Sequence, residues 1–124
     1  MTEKTVRLMG EVLAERQRQD DKWGRQDHDL TVWLTVLAEE VGEVAQAILA
    51  ERRGVQGGEA RAALRASRAG LRAELIQVAA VATPTAEWLD EHTCQECGCT
   101  DEAGCEAGCW WTEPGLCSQC DPRL

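Results

Sequence analysis

The sequence predicts an all-α helical bundle followed by a small cysteine-rich module. Three observations carry that reading. Residues 1–93 contain no cysteine and are rich in Ala, Leu, Val, Glu and Arg, with apolar residues at helical spacing. All seven cysteines lie between Cys94 and Cys120, among Gly, Pro and Trp and few aliphatic residues. No stretch of the first part has the period-2 alternation of a half-buried strand. The change in composition places a boundary at residues 91–93, giving a helical domain over 1–91 and a Cys-rich module over 92–124.

Residues 3–20 form the first amphipathic stretch, with Val6, Met9, Leu13 and the adjacent Val12 on one face and Arg and Glu on the other. Trp23-Gly24 and the polar run to Asp29 interrupt it. Leu30 to Arg53 is a stronger helix, with Asp29 or Thr31 as N-cap and Arg52-Arg53-Gly54 as its C-terminal signal. Its core stripe is read as Leu30, Leu34, Leu37, Val41, Val44 and Ile48. Val55–Gly58 is a loop. The Ala/Arg-rich stretch 59–68 is helical, Gly70 weakens the join, and Leu71–Glu91 is the third long helix. Pro84 is expected to kink that helix or end it early, because it removes an amide donor and clashes with the preceding turn.

The chain has 124 residues and a formal net charge of −9. The charge divides into −4 over 1–91 and −5 over 92–124. Such acidity disfavours nucleic acid and anionic membranes, and phosphate-rich ligands would need metal ions or a local basic patch. No apolar run approaches the ~18–20 residues that span a bilayer. The first 30 residues lack an uninterrupted apolar stretch of the kind a signal peptide carries. The expectation is a cytoplasmic protein.

On the second helix, Glu39, Glu40 and Glu43 share a sector with Trp33, Val36 and Ala47, so these acids are not on a solvated face. On the third, residues 73–82 read AELIQVAAVA. Eight of these ten residues are apolar and point in every direction, the signature of a buried helix. Glu74 and Gln77 are its only polar side chains there. A buried carboxylate must be compensated, and a divalent cation does so in an acidic bundle. Oxygen ligands suit Mg²⁺ or Mn²⁺ rather than zinc. No His follows the acids at Glu-x-x-His spacing, which argues against di-iron. The alternative is that these acids pair with arginines or face water.

The segment ERQRQDDKWGRQDHDLTVWLTVLAEEVGEVAQAIL with LRAELIQVAAVATPTAEWL resembles the MazG-like nucleoside triphosphate pyrophosphohydrolases, over roughly residues 8–91. These belong to the all-α NTP pyrophosphatase superfamily. The family's EExxE motif corresponds to Glu39, Glu40 and Glu43. Its ExxD motif reads Glu74-Leu-Ile-Gln77, with Gln where the family has Asp. The resemblance implies Mg²⁺-dependent hydrolysis of an NTP or dNTP to NMP and pyrophosphate. It implies Glu40, Glu43 and Glu74 as ligands, with Gln77 completing the shell. Glu39 or Glu43 serves catalysis by orienting or deprotonating water. Lys22, Trp23 and Arg25 lie where relatives line the nucleotide pocket. The resemblance also implies a homodimer or homotetramer that completes the helical bundle. Gln77 keeps a carbonyl oxygen but brings no charge. The rival reading is therefore a weakened nucleotide- or protein-binding module whose tail recruits a partner.

In the module, Cys94-x-x-Cys97 and Cys117-x-x-Cys120 are separated by 19 residues, a zinc-ribbon or zinc-knuckle spacing. A tail with so few aliphatics cannot fold on apolar burial alone, so Zn²⁺ would supply its folding free energy. The alternative is disulfides, disfavoured by the odd count and a reducing compartment. Cys99, Cys105 and Cys109 remain. They are spare thiols, or a second metal site completed by His92 or a shared thiolate.

Overall fold

The computed structural model describes residues 1–54 and 60–124. The expected loop over 55–58 and the helix start at Glu59 lie outside them. The chain divides into two compact units, residues 1–83 and 84–124.

The first unit is built on three helices: α1 (Glu3–Trp23), α2 (Leu30–Gly54) and α3 (Ala60–Glu91), the last running on into the second unit. α1 begins at Thr2, whose Oγ1 accepts the Thr5 amide at 3.2 Å. It ends at Gly24, whose φ of 72° closes the helix with its amide on the Asp20 carbonyl at 2.8 Å. Of the two cap candidates for α2, Asp29 caps: its Oδ1 accepts the Val32 amide at 3.0 Å. Arg52 and Arg53 occupy the last turn, where cations complement the helix dipole.

The core of this unit is small and holds Val12, Trp33, Ala80 and Val81. The inward face of α1 runs Leu8, Val12, Glu15, Gln19. That of α2 runs Trp33, Val36, Leu37, Glu40, Val44, Ala47, at helical spacing. The stripe read from sequence as the α2 core therefore divides. Leu37 and Val44 are half-buried, whereas Leu34 is 60% exposed and Leu30, Val41 and Ile48 are also exposed. On α1 it is Val12 that is buried, and Val6, Met9 and Leu13 (68% exposed) face outward. α2 has two apolar sectors. The one carrying Trp33 and Glu40 faces inward, because a Trp buries more area than any aliphatic residue. Ion pairs tie the helices at their edges: Arg72 to Glu11, and Arg68 to Glu51 at 2.9 Å.

α3 is continuous through both Gly70 and Pro84. The early end expected at Pro84 is not seen. The Thr83 hydroxyl donates to the Ala79 carbonyl at 3.0 Å, one residue before the Ala80 carbonyl whose amide donor Pro84 removes.

The second unit begins with the last turns of α3 and adds a two-stranded antiparallel sheet, β1 (Trp111–Glu113) and β2 (Leu116–Cys117). The turn between them is Pro114-Gly115. Gly115 has φ 79°, as the third residue of a type II turn requires. The Gly115 amide donates to the Glu91 carbonyl at 2.8 Å, and its carbonyl accepts the Gln95 amide at 2.9 Å. The hairpin is thus fastened to the end of α3. Trp88 is half-buried and stacks on His92 at 4.0 Å. Among the described residues no helix is long and apolar enough to cross a membrane.

Candidate functional site

Two clusters of metal-binding side chains stand out, one in each unit. In the first, Glu40 and Glu43 of α2 meet Glu74 of α3, with carboxylate oxygens within 4.8 Å of one another. Two oxygens on one Mg²⁺ stand at most about 4.2 Å apart, twice its ~2.1 Å bond length.

Oε2 of Glu40 and Oε2 of Glu74 are buried and have no hydrogen-bond partner. Burial pushes the Glu40 carboxyl above the usual carboxylate range, and the charges of Glu43, Glu74, Glu39 and Glu15 push it the same way. A hydrogen bond with Glu43 raises Glu74, with burial and the Glu43 charge adding to it. Buried oxygens without donors, on acids that repel one another, are a donor set suited to a hard cation.

Glu39 is exposed beside this group. Gln77 is turned to α1: its Nε2 donates to Glu15 Oε1 at 2.7 Å, and its Oε1 accepts from Gln19 Nε2 at 3.0 Å. Glu15 also accepts Arg18 Nε at 2.8 Å. Arg18 foremost, and the Gln77 and Gln19 amides with it, hold Glu15 below the usual range. The sequence puts the glutamates of α1 on its polar face and does not single out Gln19, yet Glu15 and Gln19 are both half-buried. Their i, i+4 spacing, continuing from Leu8 and Val12, is the signal that places them inward.

The three residues expected at a nucleotide cluster at the end of α1. Lys22 Nζ sits over the Trp23 ring at 4.7 Å, Trp23 is 63% exposed, and Arg25 is exposed in the following segment. His28 packs edge-on against the buried Trp33 at 5.1 Å.

In the second unit all seven cysteines are free thiols gathered in one cluster. Sγ–Sγ separations are 3.8 Å for Cys97–Cys105 and Cys97–Cys117, and 3.9 Å for Cys99–Cys109 and Cys105–Cys117. A disulfide is about 2.05 Å. Sulfurs at about 2.3 Å from a tetrahedral zinc stand about 3.8 Å apart. The cluster is spaced to hold a metal such as zinc.

The two Cys-x-x-Cys turns also aim backbone amides at sulfur. The Cys97 amide, followed by that of Cys117, holds Cys94 down to about 6. The Cys120 amide, with the Cys99 thiol and the Gln119 amide, outweighs the upward pull of burial and lowers Cys117. Burial first, and neighbouring thiols next, push Cys105 up to about 12 and raise Cys99 as well. Seven crowded thiols cannot all ionise without cations among them.

His92 is not part of the cluster. Its Nδ1 lies 2.9 Å from the Trp88 carbonyl. Asp121 was not singled out from sequence. It is buried and accepts the Arg123 amide at 2.9 Å and its guanidinium at 2.8 and 2.7 Å, locking the chain just beyond Cys120. Compared with known protein families, with curated proteins and with solved structures, the chain matches none.

Proposed function

We propose that the chain is a Mg²⁺-dependent nucleotide pyrophosphohydrolase of MazG-like type, cleaving an NTP or dNTP to NMP and pyrophosphate, with a zinc-stabilised C-terminal module. The observation that carries this reading is the convergence of Glu40, Glu43 and Glu74 with two partnerless buried oxygens. Glu40, Glu43 and Glu74 would hold the ion. When bound, Mg²⁺ (or Mn²⁺) neutralises charge on phosphate oxygens. The exposed Glu39 is the carboxylate free to orient or deprotonate an attacking water. Trp23 offers an open aromatic face for a base, and Lys22 and Arg25 offer cations for phosphates in an otherwise acidic chain.

The outward apolar residues of α1 and α2 support assembly into a homodimer or homotetramer. Val6, Met9, Leu13, Leu34 and Val41 are each about half exposed or more in the single chain. Sulfur spacings that match a tetrathiolate site support Zn²⁺ in the module.

One observation favours the rival, a catalytically weakened binding module. Gln77 spends its amide on Glu15 and Gln19 and brings no charge to the acids. The test is incubation with Mg²⁺ or Mn²⁺ and a panel of NTPs and dNTPs, reading pyrophosphate separately from inorganic phosphate. Pyrophosphate and NMP from any one substrate, lost in Glu43→Gln, is the expected result. Turnover untouched by Glu43→Gln removes the site assignment. No product from folded, zinc-loaded protein favours the rival.

A further inference from the structure

The spacing of the cysteines in sequence pairs Cys94-Cys97 with Cys117-Cys120 and leaves three thiols over. In the fold those three are not peripheral. Cys99, Cys105 and Cys109 form a second group of mutually close sulfurs, and its fourth member is Cys117. Cys120 lies against Cys97, Cys117 and Cys94. The other group of mutually close sulfurs is Cys94, Cys97, Cys99 and Cys117, so Cys99 and Cys117 are common to both groups. With Cys99 assigned to Cys105 and Cys109, and Cys120 taking its place beside Cys94 and Cys97, Cys117 is the one sulfur that serves two quartets: Cys94, Cys97, Cys117 and Cys120, and Cys99, Cys105, Cys109 and Cys117.

The count agrees with the geometry. Two tetrahedral ions need eight thiolate positions. The chain supplies seven cysteines, and one sulfur used twice makes up the eighth. His92, the other candidate for that position, is turned to the Trp88 carbonyl and stacked on the Trp88 ring.

We propose that the module holds two zinc ions in one binuclear cluster, with the Cys117 sulfur bridging them. Cys94, Cys97 and Cys120 complete the first ion, and Cys99, Cys105 and Cys109 complete the second. Every position is a thiolate, so neither ion keeps an open site for water, and the cluster is structural rather than catalytic. β2 ends on Cys117, so the shared sulfur sits on a paired strand, with the Cys120 and Gln119 amides directed at it. The inference rests on reading the module as a zinc site.

Two measurements on the full chain test it. Native mass spectrometry counts zinc: two ions are expected for the wild type, and one each for Cys109→Ser and Cys120→Ser. NMR of ¹¹³Cd-substituted wild-type protein tests the bridge without any variant: two resonances split by mutual coupling through the shared sulfur are expected. One ion per chain, unaffected by Cys109→Ser, overturns the second site. Two ions with no cadmium–cadmium coupling overturn the shared sulfur. No bound metal overturns the zinc reading itself together with the cluster.

Discussion

Gly115→Ala tests how the module is built. Gly115 combines two constraints. Its φ of 79° costs any L-residue about 1–2 kcal/mol. A Cβ there would also stand 2.8 Å from the Asp90 carbonyl oxygen, a backbone atom that cannot rotate away. The glycine cannot slide aside either, because its amide and carbonyl are tied to Glu91 and Gln95. Forcing such a contact costs about 1–3 kcal/mol more, as overpacking does elsewhere. Gly98 (φ 79°) and Gly108 (φ 82°) carry the first cost alone, since nothing lies within 4 Å of a Cβ at either. Folding and metal binding are one equilibrium in a module of this kind. The extra 1–3 kcal/mol should then lower the overall zinc-binding constant of Gly115→Ala roughly 5- to 140-fold below that of Gly98→Ala or Gly108→Ala, at ~1.4 kcal/mol per tenfold. Competition with a chromophoric chelator measures this directly. Equal constants for the three variants would refute the claim that the hairpin is fastened to the end of α3.

Trp33→Ala removes the largest buried side chain of the helical unit and should destabilise it by about 3–5 kcal/mol, read by thermal unfolding, whereas Trp23→Ala should leave stability nearly unchanged and weaken nucleotide binding. Glu40 has its carboxyl raised in the folded, metal-free protein, so the native state binds more protons than the unfolded one, and stability falls as pH rises through and above the carboxylate range. Glu40→Gln should therefore raise the metal-free Tm at pH 7, by about 4–8 °C for each 1 kcal/mol relieved, with the gain shrinking on acidification. The same substitution should abolish stabilisation by added Mg²⁺; a metal-free Tm that is unchanged or lower would sink the repulsion argument. Asp121 titrates the opposite way. Arg123 holds its carboxyl low, so its contribution is present above the unfolded carboxylate range and is lost only in strong acid, and Asp121→Asn should lower zinc retention at neutral pH. Gln77→Asp shortens the side chain and removes the donor to Glu15, costing about 1.5–3 kcal/mol in the metal-free protein. If Gln77 is what weakens the site, that variant should also tighten Mg²⁺ binding, measurable by calorimetry.

Much of this architecture is legible in the sequence, and the exceptions have identifiable causes. The spans of α1 and α2 follow from periodicity and the Asp29 cap from residue type, whereas the continuity of α3 through Gly70 and Pro84 does not. Glu40, Glu43 and Glu74 declare themselves by sitting among apolar neighbours. The inward face of α2 is harder. Leu30, Leu34, Val41 and Ile48 make a better stripe by hydropathy than Trp33, Val36 and Ala47, yet three helices in one chain bury only one sector of α2. Periodicity reports that a helix has an apolar side, not which partner covers it. Glu15 and Gln19 were hidden because a polar residue on an inward face looks like any surface residue until its neighbours are known. The Cys-x-x-Cys pairs are visible as spacing, but the shared role of Cys117 depends on how the loop from Cys99 to Cys109 folds back. Spacing alone says nothing about that path.

The polar centre of the helical unit separates into two parts that are treated differently. Glu15 is compensated within the chain: Arg18, Gln19 and Gln77 all donate to it. Glu40, Glu43 and Glu74 are left to one another: Glu43 is exposed and bonds Glu74, while one buried oxygen each on Glu40 and Glu74 receives nothing. Gln77 is the nearest uncharged donor on α3 to Glu74, one turn away, and it points elsewhere. If the three acids served only to hold the helices together, that amide would do more good between them, because an unpaired buried carboxylate costs more than a partly solvated one. Leaving them unpaired is costly in the bare chain, and under the proposed function a cation between them would offset that cost. On the proposed reading, the destabilisation of the metal-free bundle and the binding of a hard cation have one cause, which is why Glu40→Gln should improve the first and abolish the second.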